Sequence, residues 1–168
     1  VAKEVESPLE EVHDKVRSLV TELETEHKRT LSLERELSRK VAESLLDQTE
    51  QVNGVTVVAA KVPPLTMPIL REMGDILRDR LKSAVVVLAT IYDNKPNFLA
   101  MVTPDLAAKG FHACDIIREV AKVTGGGGGG KATMAQAGGK DVAKLDEALN
   151  LVKSVIASQT SSPLTGED

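Results

Sequence analysis

Residues 125–141 read GGGGGGKATMAQAGGKD, a stretch that holds eight of the twelve glycines of the 168-residue chain. Glycine loses more backbone entropy on folding than any other residue, so six in succession fit only where φ is positive or another surface comes very close. Lys122 and Lys131 flank the run, which follows a helical pattern. Exposed N–H groups beside lysines predict a loop that binds phosphate or another anion. A glycine C-cap followed by a flexible linker is the alternative.

Two nucleotide-binding motifs match the glycine run only formally. Gly125, Gly130 and Lys131 satisfy G-x-x-x-x-G-K, but Ala132 stands where that motif needs Ser or Thr for Mg²⁺. The context is also inverted, because a helix rather than a strand precedes the glycines. Six consecutive glycines satisfy G-x-G-x-x-G trivially, so we reject both the nucleoside triphosphate loop and the dinucleotide fold.

The pattern around this stretch is typical of a small α/β domain over residues 54–159. Apolar runs predict strands at 55–62, 84–92, 97–103 and 132–137. Helical spacing of apolar residues predicts helices at 66–81, 113–121 and 142–156, with a short helical turn at 103–109. Turn residues at 93–96 join the second and third strands as a hairpin, so the sheet is predicted to be mixed.

Residues 1–53 are predicted to form one long coiled-coil-like helix that begins at Pro8 and ends at Asn53–Gly54. Its apolar stripe weakens at Glu26 and Thr30. So narrow a stripe must pack on a second helix, in another copy or elsewhere in a longer chain, unless the helix is a solvated spacer. The candidate oligomerisation residues are Val12, Val16, Leu19, Leu23, Leu33 and Leu37.

Charge is distributed unevenly along the chain. Residues 1–53 carry a net charge of −5, whereas residues 54–159 carry +3, and this surplus lies between positions 109 and 144. The overall net charge of −4 therefore hides a local basic patch.

Several protein classes are excluded or disfavoured by composition. No apolar run reaches the roughly 20 residues that a membrane span needs, and no signal peptide pattern opens the chain. One cysteine, Cys114, permits no internal disulfide and no zinc site built from several thiolates. We expect a cytoplasmic protein without membrane contact. Because the chain starts at Val1 inside a helical pattern, we expect a fragment of a longer protein with a disordered tail at 160–168.

Candidate catalytic groups are few. His13 and His27 are fourteen residues apart on the long helix, too far apart to share a metal ion. His112 and Cys114 lie together, but no orienting acid is identifiable, so we interpret them as an interfacial histidine and a buried thiol. We assign no catalytic residue and no metal ligand.

The run from Gly125 to Asp141, with Met-Ala-Gln-Ala-Gly-Gly at 134–139 and an Asp-capped closing helix, resembles the C-terminal, DHH-associated domain of bacterial alanyl-tRNA synthetases. The segment Lys109–Ala113 before an Ile-Ile helix agrees with this, and the resemblance spans about residues 55–158. It implies a domain without chemistry of its own that contacts the outer corner of tRNA and helps to join subunits. For the parent chain it implies an alanine–tRNA ligase that charges tRNA(Ala) using ATP, Mg²⁺ and zinc, all bound outside these residues.

With three aromatic residues, the domain cannot stack several bases, which favours recognition of a folded RNA by backbone and shape. Gln136 is either a base-edge contact or a packing residue. The candidate RNA-binding residues are Arg118, Lys122, Gly126, Gly127, Gly128, Gly129, Lys131, Gln136 and Lys140. Three alternatives stay open: the nucleic-acid clamp of a DHH phosphoesterase, the C-terminal domain of a freestanding tRNA-editing hydrolase, and a structural dimer module without RNA contact.

Overall fold

The computed structural model divides into two compact units, Val1–Leu37 and Ser38–Asp168, and describes residues 9–161. The elements in chain order are α1 (Leu9–Leu46), β1 (Glu50–Val52), β2 (Val55–Lys61), α2 (Met67–Leu81), β3 (Val85–Tyr92), β4 (Lys95–Val102), α3 (Pro104–Ala108), α4 (Ala113–Val123), β5 (Gly127–Gly130), β6 (Met134–Gly138), a 3₁₀ turn (Val142–Lys144) and α5 (Leu145–Ser161). The prediction of an α/β fold with a long first helix and a mixed sheet is confirmed.

The six strands form one sheet in the order β1-β2-β3-β4-β6-β5. Only β2 and β3 pair in parallel, and α2 makes the crossover between them. β3 and β4 form the predicted hairpin, and Asp93 and Asn94 are its two turn residues, with φ of 55° and 57°. Two consecutive positive φ values match the twist of the flanking strands, and Asn and Asp tolerate them better than most residues.

Helices cover the two faces of the sheet unequally. One face packs against α3, α4 and α5, and the other packs against α2 and the end of α1, where Ala42 and Leu45 are buried. β3 is buried on both faces, because Val85 and Val87 point to the first core while Val86 and Leu88 point to the second. A continuous apolar strand is the expected sequence for such a position.

The predicted end of the first helix is wrong. α1 ends at Leu46, and Asn53–Gly54 forms the turn between β1 and β2. The sequence predicted β2 but not β1. Asn-Gly is both a helix stop signal and a strong hairpin signal, and Glu50–Val52 has no apolar pattern to separate the two. The predicted start at Pro8 and most of the predicted disordered tail lie outside the described residues, although positions 160 and 161 still belong to α5.

The interpretation of the whole glycine run as a loop is also wrong. Residues Gly127–Gly130 form β5, an edge strand that pairs antiparallel with β6. Glycine has little intrinsic preference for strands, so pairing with β6 and packing against α4 decide the structure here. Within the described ranges, no helix is both long and apolar enough to span a bilayer.

Candidate functional site at the glycine strand

The first glycine of the run ends α4. Gly125 has a φ of 69° and donates its N–H to the Lys122 carbonyl at 3.0 Å, while the Gly126 N–H reaches the Ala121 carbonyl at 3.0 Å. This pair of hydrogen bonds is the Schellman motif, in which glycine takes the left-handed position after the helix. The glycine C-cap considered from the sequence is therefore present, and Gly125 is the one residue of the run with positive φ.

Alternate glycines of the run pack closely against β6. A Cβ at Gly128 would overlap the Gln136 carbonyl and lie 2.5 Å from the Ala137 Cα, and one at Gly130 would lie 2.6 Å from the Ala135 Cα. At Gly126 a Cβ would overlap the Gly138 carbonyl and lie 2.5 Å from the Gly139 Cα. The close approach expected from the sequence exists at these three positions, but the approaching surface is the neighbouring strand of the same chain.

Gly127 and Gly129 have the opposite environment. A Cβ at either position would meet no atom within 4 Å. They pair in register with Gly138 and Gln136, and β5 has no strand on its outer side. The outer edge and one face of β5 are thus open backbone without side chains.

Gln136 lies on the same face as these open glycines. The alternation of β6 buries Ala135 and Ala137 against α4 and leaves Gln136 exposed on the side where α2 packs. Arg71 of α2 donates two hydrogen bonds to Gln136 Oε1, from Nε at 3.2 Å and from Nη2 at 2.5 Å. Sequence reasoning missed Arg71, because no local signal links two residues 65 positions apart.

Lys131 and Lys140 lie at the two ends of the β5–β6 hairpin, and both side chains are exposed. The Lys131 N–H donates to the Met134 carbonyl at 2.7 Å, and the Lys140 N–H donates to the Thr124 carbonyl at 2.9 Å. Neither ammonium group has a carboxylate within ion-pair distance among residues 9–161. The edge therefore carries a free cation at each end.

The two ends of the hairpin are also fastened to α4. At one end the Ala113 N–H donates to the Ala132 carbonyl at 2.8 Å. At the other end Thr124 is buried and its carbonyl accepts from both Lys140 and Asp141, at 2.9 and 3.0 Å. Both ends of the glycine hairpin are thus held by backbone hydrogen bonds to α4, in addition to the pairing of β6 with β4.

Arg118 and Lys122 lie elsewhere, on the exposed side of α4, the helix that covers the sheet face opposite Gln136. Arg118 is 3.8 Å from Asp115, and Lys122 is 2.6 Å from Glu119. Exposed pairs of this kind contribute only about 0–1 kcal/mol, but they cancel charge locally. The structure therefore brings the glycines, Gln136, Lys131 and Lys140 together and leaves Arg118 and Lys122 in a separate, locally neutral group.

Asp115 is the acid that the sequence did not identify beside His112 and Cys114. The His112 Nδ1 is 3.6 Å from Asp115 Oδ2, and the Cys114 Sγ is 3.8 Å from Asp115 Oδ1. His112 and Cys114 are both half-buried, so the thiol is not fully buried as expected. In the part of the chain that the structure describes, no group of three or more His, Cys, Asp or Glu residues could hold a metal ion.

The long helix carries a second candidate surface. Leu19 is 60% exposed and Leu23 is 72% exposed, values that are unusual for leucine in a folded protein. Val16, Leu33 and Leu37 of the predicted stripe are also exposed, and Val12 is half-buried. Residues 12–37 thus present an apolar stripe to solvent.

Known proteins resemble this chain over most of its length. The DHHA1 domain model matches residues 54–158. An alanine–tRNA ligase of Dehalococcoides mccartyi is 47% identical over 152 residues, which are 90% of this chain and 18% of the relative. The crystal structure of the C-Ala domain from Aquifex aeolicus alanyl-tRNA synthetase matches with a TM-score of 0.60 and 38% identity, covering 65% of this chain and 97% of that one.

RecJ from Thermus thermophilus shares the fold at 16% identity, with a TM-score of 0.54 over 80% of this chain and 20% of that chain. The chain belongs to the DHHA1 domain family, and within that family to the C-terminal domains of alanyl-tRNA synthetases. The resemblance identified from residues 125–141 is thereby confirmed. This chain spans 18% of the length of the curated ligase that it matches.

Proposed function

We propose that this chain is the tRNA-binding, non-catalytic part of an alanine–tRNA ligase and that the β5–β6 edge contacts the outer corner of tRNA(Ala). The parent enzyme attaches alanine to tRNA(Ala) with ATP in the cytoplasm, and Mg²⁺ and zinc are bound by other parts of that protein. The kinship with the ligase of Dehalococcoides mccartyi and with the Aquifex aeolicus C-Ala domain supports this assignment.

The observation that carries the RNA proposal is the combination of open backbone and free cations at one edge. Gly127 and Gly129 leave space for another molecule to approach the strand closely, and Lys131 and Lys140 mark its two ends. A folded RNA offers phosphates and 2′-hydroxyl groups on a wide, shallow minor groove, which matches an edge that has few side chains. Lysines at the ends supply the electrostatic part of the affinity.

The salt dependence of tRNA(Ala) binding tests this proposal. The variant Lys131→Ala with Lys140→Ala removes both free cations, and the slope of log affinity against log salt should fall by about 1.4 to 1.8, corresponding to two phosphate contacts. The matched control is Lys61→Ala with Lys153→Ala, which removes the same charge near the opposite edge of the sheet, where Lys153 pairs with Glu50. Equal losses in the two variants would contradict the proposal.

A second pair of cations tests whether the RNA contacts the β5–β6 edge or α4. Arg118→Ala with Lys122→Ala removes the same formal charge from α4, where each cation already faces an acid. We expect the salt slope to change by less than half as much as for the lysines at the hairpin ends. A larger change would move the RNA contact from the glycine edge to α4.

We also propose that the apolar stripe on residues 12–37 binds a second copy of this chain. Lys15, Glu22, Arg29 and Glu36 lie along one side of the stripe. In an antiparallel pair of helices this side of one copy faces the same side of the other copy, which places Lys15 opposite Glu36 and Glu22 opposite Arg29. A parallel pair would instead bring Glu26, which lies in the stripe, against its own copy. Charge complementarity therefore favours an antiparallel homodimer.

Sedimentation of the full chain tests the dimer. Leu19→Glu with Leu23→Glu places charge in the stripe and should halve the sedimenting mass. The matched control is Ser18→Glu with Thr25→Glu, which adds the same charge on the outward face of α1 and should keep the dimer. The same monomeric mass for the unmodified chain and for both variants would end the proposal.

A further inference from the structure

The face of the sheet that α2 covers is left open beyond β4. α2 packs closely there, because a Cβ at Gly74 would lie 2.9 Å from the Met101 Sδ and 3.0 Å from a Leu99 methyl. β6 and β5 continue the same face without a covering helix. We call the residues Gly127, Gly129, Gln136 and Gly138 the open strip. Gln136 carries its only side chain.

The two hydrogen bonds from Arg71 fix how Gln136 presents its amide to this strip. Both guanidinium donors are directed at Oε1, so that oxygen is occupied and the Nε2 group must point away from Arg71. No described residue accepts a hydrogen bond from Gln136 Nε2. Gly129 across the strand pair and Gly138 two residues along have no side chain to shield it, and Met134, two residues away on the other side, packs against the core under α2. The amide therefore faces solvent as a donor alone.

We propose that Arg71 is a positioning residue that makes Gln136 a fixed hydrogen-bond donor for acceptor atoms on a base edge of RNA lying on the open strip. This inference rests on the proposed RNA contact at the β5–β6 edge. A free glutamine reads adenine with its oxygen and nitrogen together. Here the oxygen is taken, so the pair selects an edge that offers acceptors, such as carbonyl oxygens and unprotonated ring nitrogens.

A packing role for Gln136 fits the surroundings less well. Its neighbours Ala135 and Ala137 are buried, whereas Gln136 is exposed and contributes nothing to either core. Arg71 is the group that contacts it, and Arg71 has no carboxylate partner in the described ranges. Since Arg71 donates only to the neutral amide of Gln136, the contact serves to orient that amide.

A double-mutant cycle on tRNA(Ala) affinity tests the inference. Arg71→Met keeps much of the aliphatic stem and removes the donors, and Gln136→Ala removes the amide. Because a hydrogen bond contributes about 0.5–1.5 kcal/mol, each change should weaken binding about two- to twelvefold. Because Arg71 is proposed to act only through Gln136, the double variant should bind tRNA(Ala) no more weakly than the single variant with the lower affinity. The salt slope should stay unchanged in all three variants.

Gln136→Glu separates positioning from structure. The carboxylate would accept from Arg71 and keep the contact with α2, so the melting temperature should be retained while the donor is lost. We expect affinity to fall at least as far as in Gln136→Ala. Wild-type affinity for Gln136→Glu would overturn the inference.

Three further outcomes of the affinity measurements also decide whether the inference holds. In the first, the affinity losses of the two single variants multiply in the double variant, and the salt slope of Arg71→Met falls by about one. Arg71 would then be a phosphate contact, and its positioning role would be overturned. Unchanged affinity in all four variants, alongside a loss in Lys131→Ala with Lys140→Ala, would overturn this inference alone. Unchanged affinity in the lysine variant as well would overturn the proposed function.

Discussion

Alternate glycines of one strand have different reasons to be glycine. Gly126, Gly128 and Gly130 lie so close to β6 that no side chain fits, whereas Gly127 and Gly129 face open space. The first set is required by the fold of the chain itself. The second set is not required by the fold, and it is the set that the proposed RNA contact would use. A homopolymeric run can thus combine two separate constraints at a spacing of two residues.

The largest expected effect is the loss of stability when the packed set is changed. Gly128→Ala or Gly130→Ala forces the two strands apart and should lower the free energy of unfolding by about 1–3 kcal/mol. Gly127→Ala or Gly129→Ala should leave it unchanged or raise it by about 0.5–1 kcal/mol, because alanine loses less backbone entropy. Urea unfolding followed by circular dichroism measures both sets. Equal free energies of unfolding for the two sets of variants would show that the packed and the open glycines do not differ.

The turn glycine before the strand forms a third case. Gly125→Ala places a Cβ at a φ of 69°, and a left-handed conformation costs an L-residue about 1–2 kcal/mol. Space is not the cause, because a Cβ there would meet nothing within 4 Å. Gly125→Asn should therefore recover part of the loss, since asparagine tolerates this conformation. The same urea experiment checks this, and an asparagine variant less stable than the alanine variant would contradict it.

The open set should affect binding rather than folding. Two methyl groups in Gly127→Ala with Gly129→Ala should weaken tRNA(Ala) binding about fivefold, equivalent to about 1 kcal/mol, because they hold the RNA away from the strand. Fluorescence anisotropy at fixed salt measures the affinity. Full affinity in a stably folded double variant would show that no molecule approaches the open face.

The smallest expected effect lies away from the strand and serves as a reference. The Ser83 hydroxyl donates to the Asp105 carboxylate and, with a second contribution from Thr103, holds the pKa of that carboxyl below its ordinary value of 3.8. Ser83→Ala should raise this pKa while leaving RNA binding unchanged. Because the folded pKa is lowered, the stabilisation is present at neutral pH and is lost as pH falls through the folded pKa.

An NMR titration of the Asp105 carboxyl carbon from pH 2 to pH 6 checks the shift. An unchanged midpoint in Ser83→Ala would mean that the hydrogen bond does not form in solution.

Much of the fold was predictable because strong patterns encode it. β2 and β3 are largely apolar runs, β4 ends in the apolar run at 98–102, and α4 repeats its apolar residues at helical spacing. β1 and β5 were not predictable, because one is polar and the other is all glycine, and each exists through pairing with its neighbour. Neither strand has the residue propensities or the alternating apolar pattern from which strands are predicted.

The candidate site was predictable where its parts are neighbours in sequence. Lys131 and Gln136 follow the glycine run directly, so one local motif contains them. Arg71 comes from a helix far along the chain, and only the packing of α2 beside β6 brings it to Gln136. The division of cations also depended on the structure, since the acids beside Arg118 and Lys122 could be matched to them only once the helix was known.

The fastening of the hairpin to α4 has a mechanical consequence. Ala113 and Thr124 sit at opposite ends of that helix and each holds one end of the hairpin through backbone hydrogen bonds. A strand without side chains would otherwise bend easily, but this hairpin is fixed to α4 at both ends and to β4 along the whole of β6. Lys131 and Lys140 can therefore change their spacing only if backbone hydrogen bonds to the rest of the domain break.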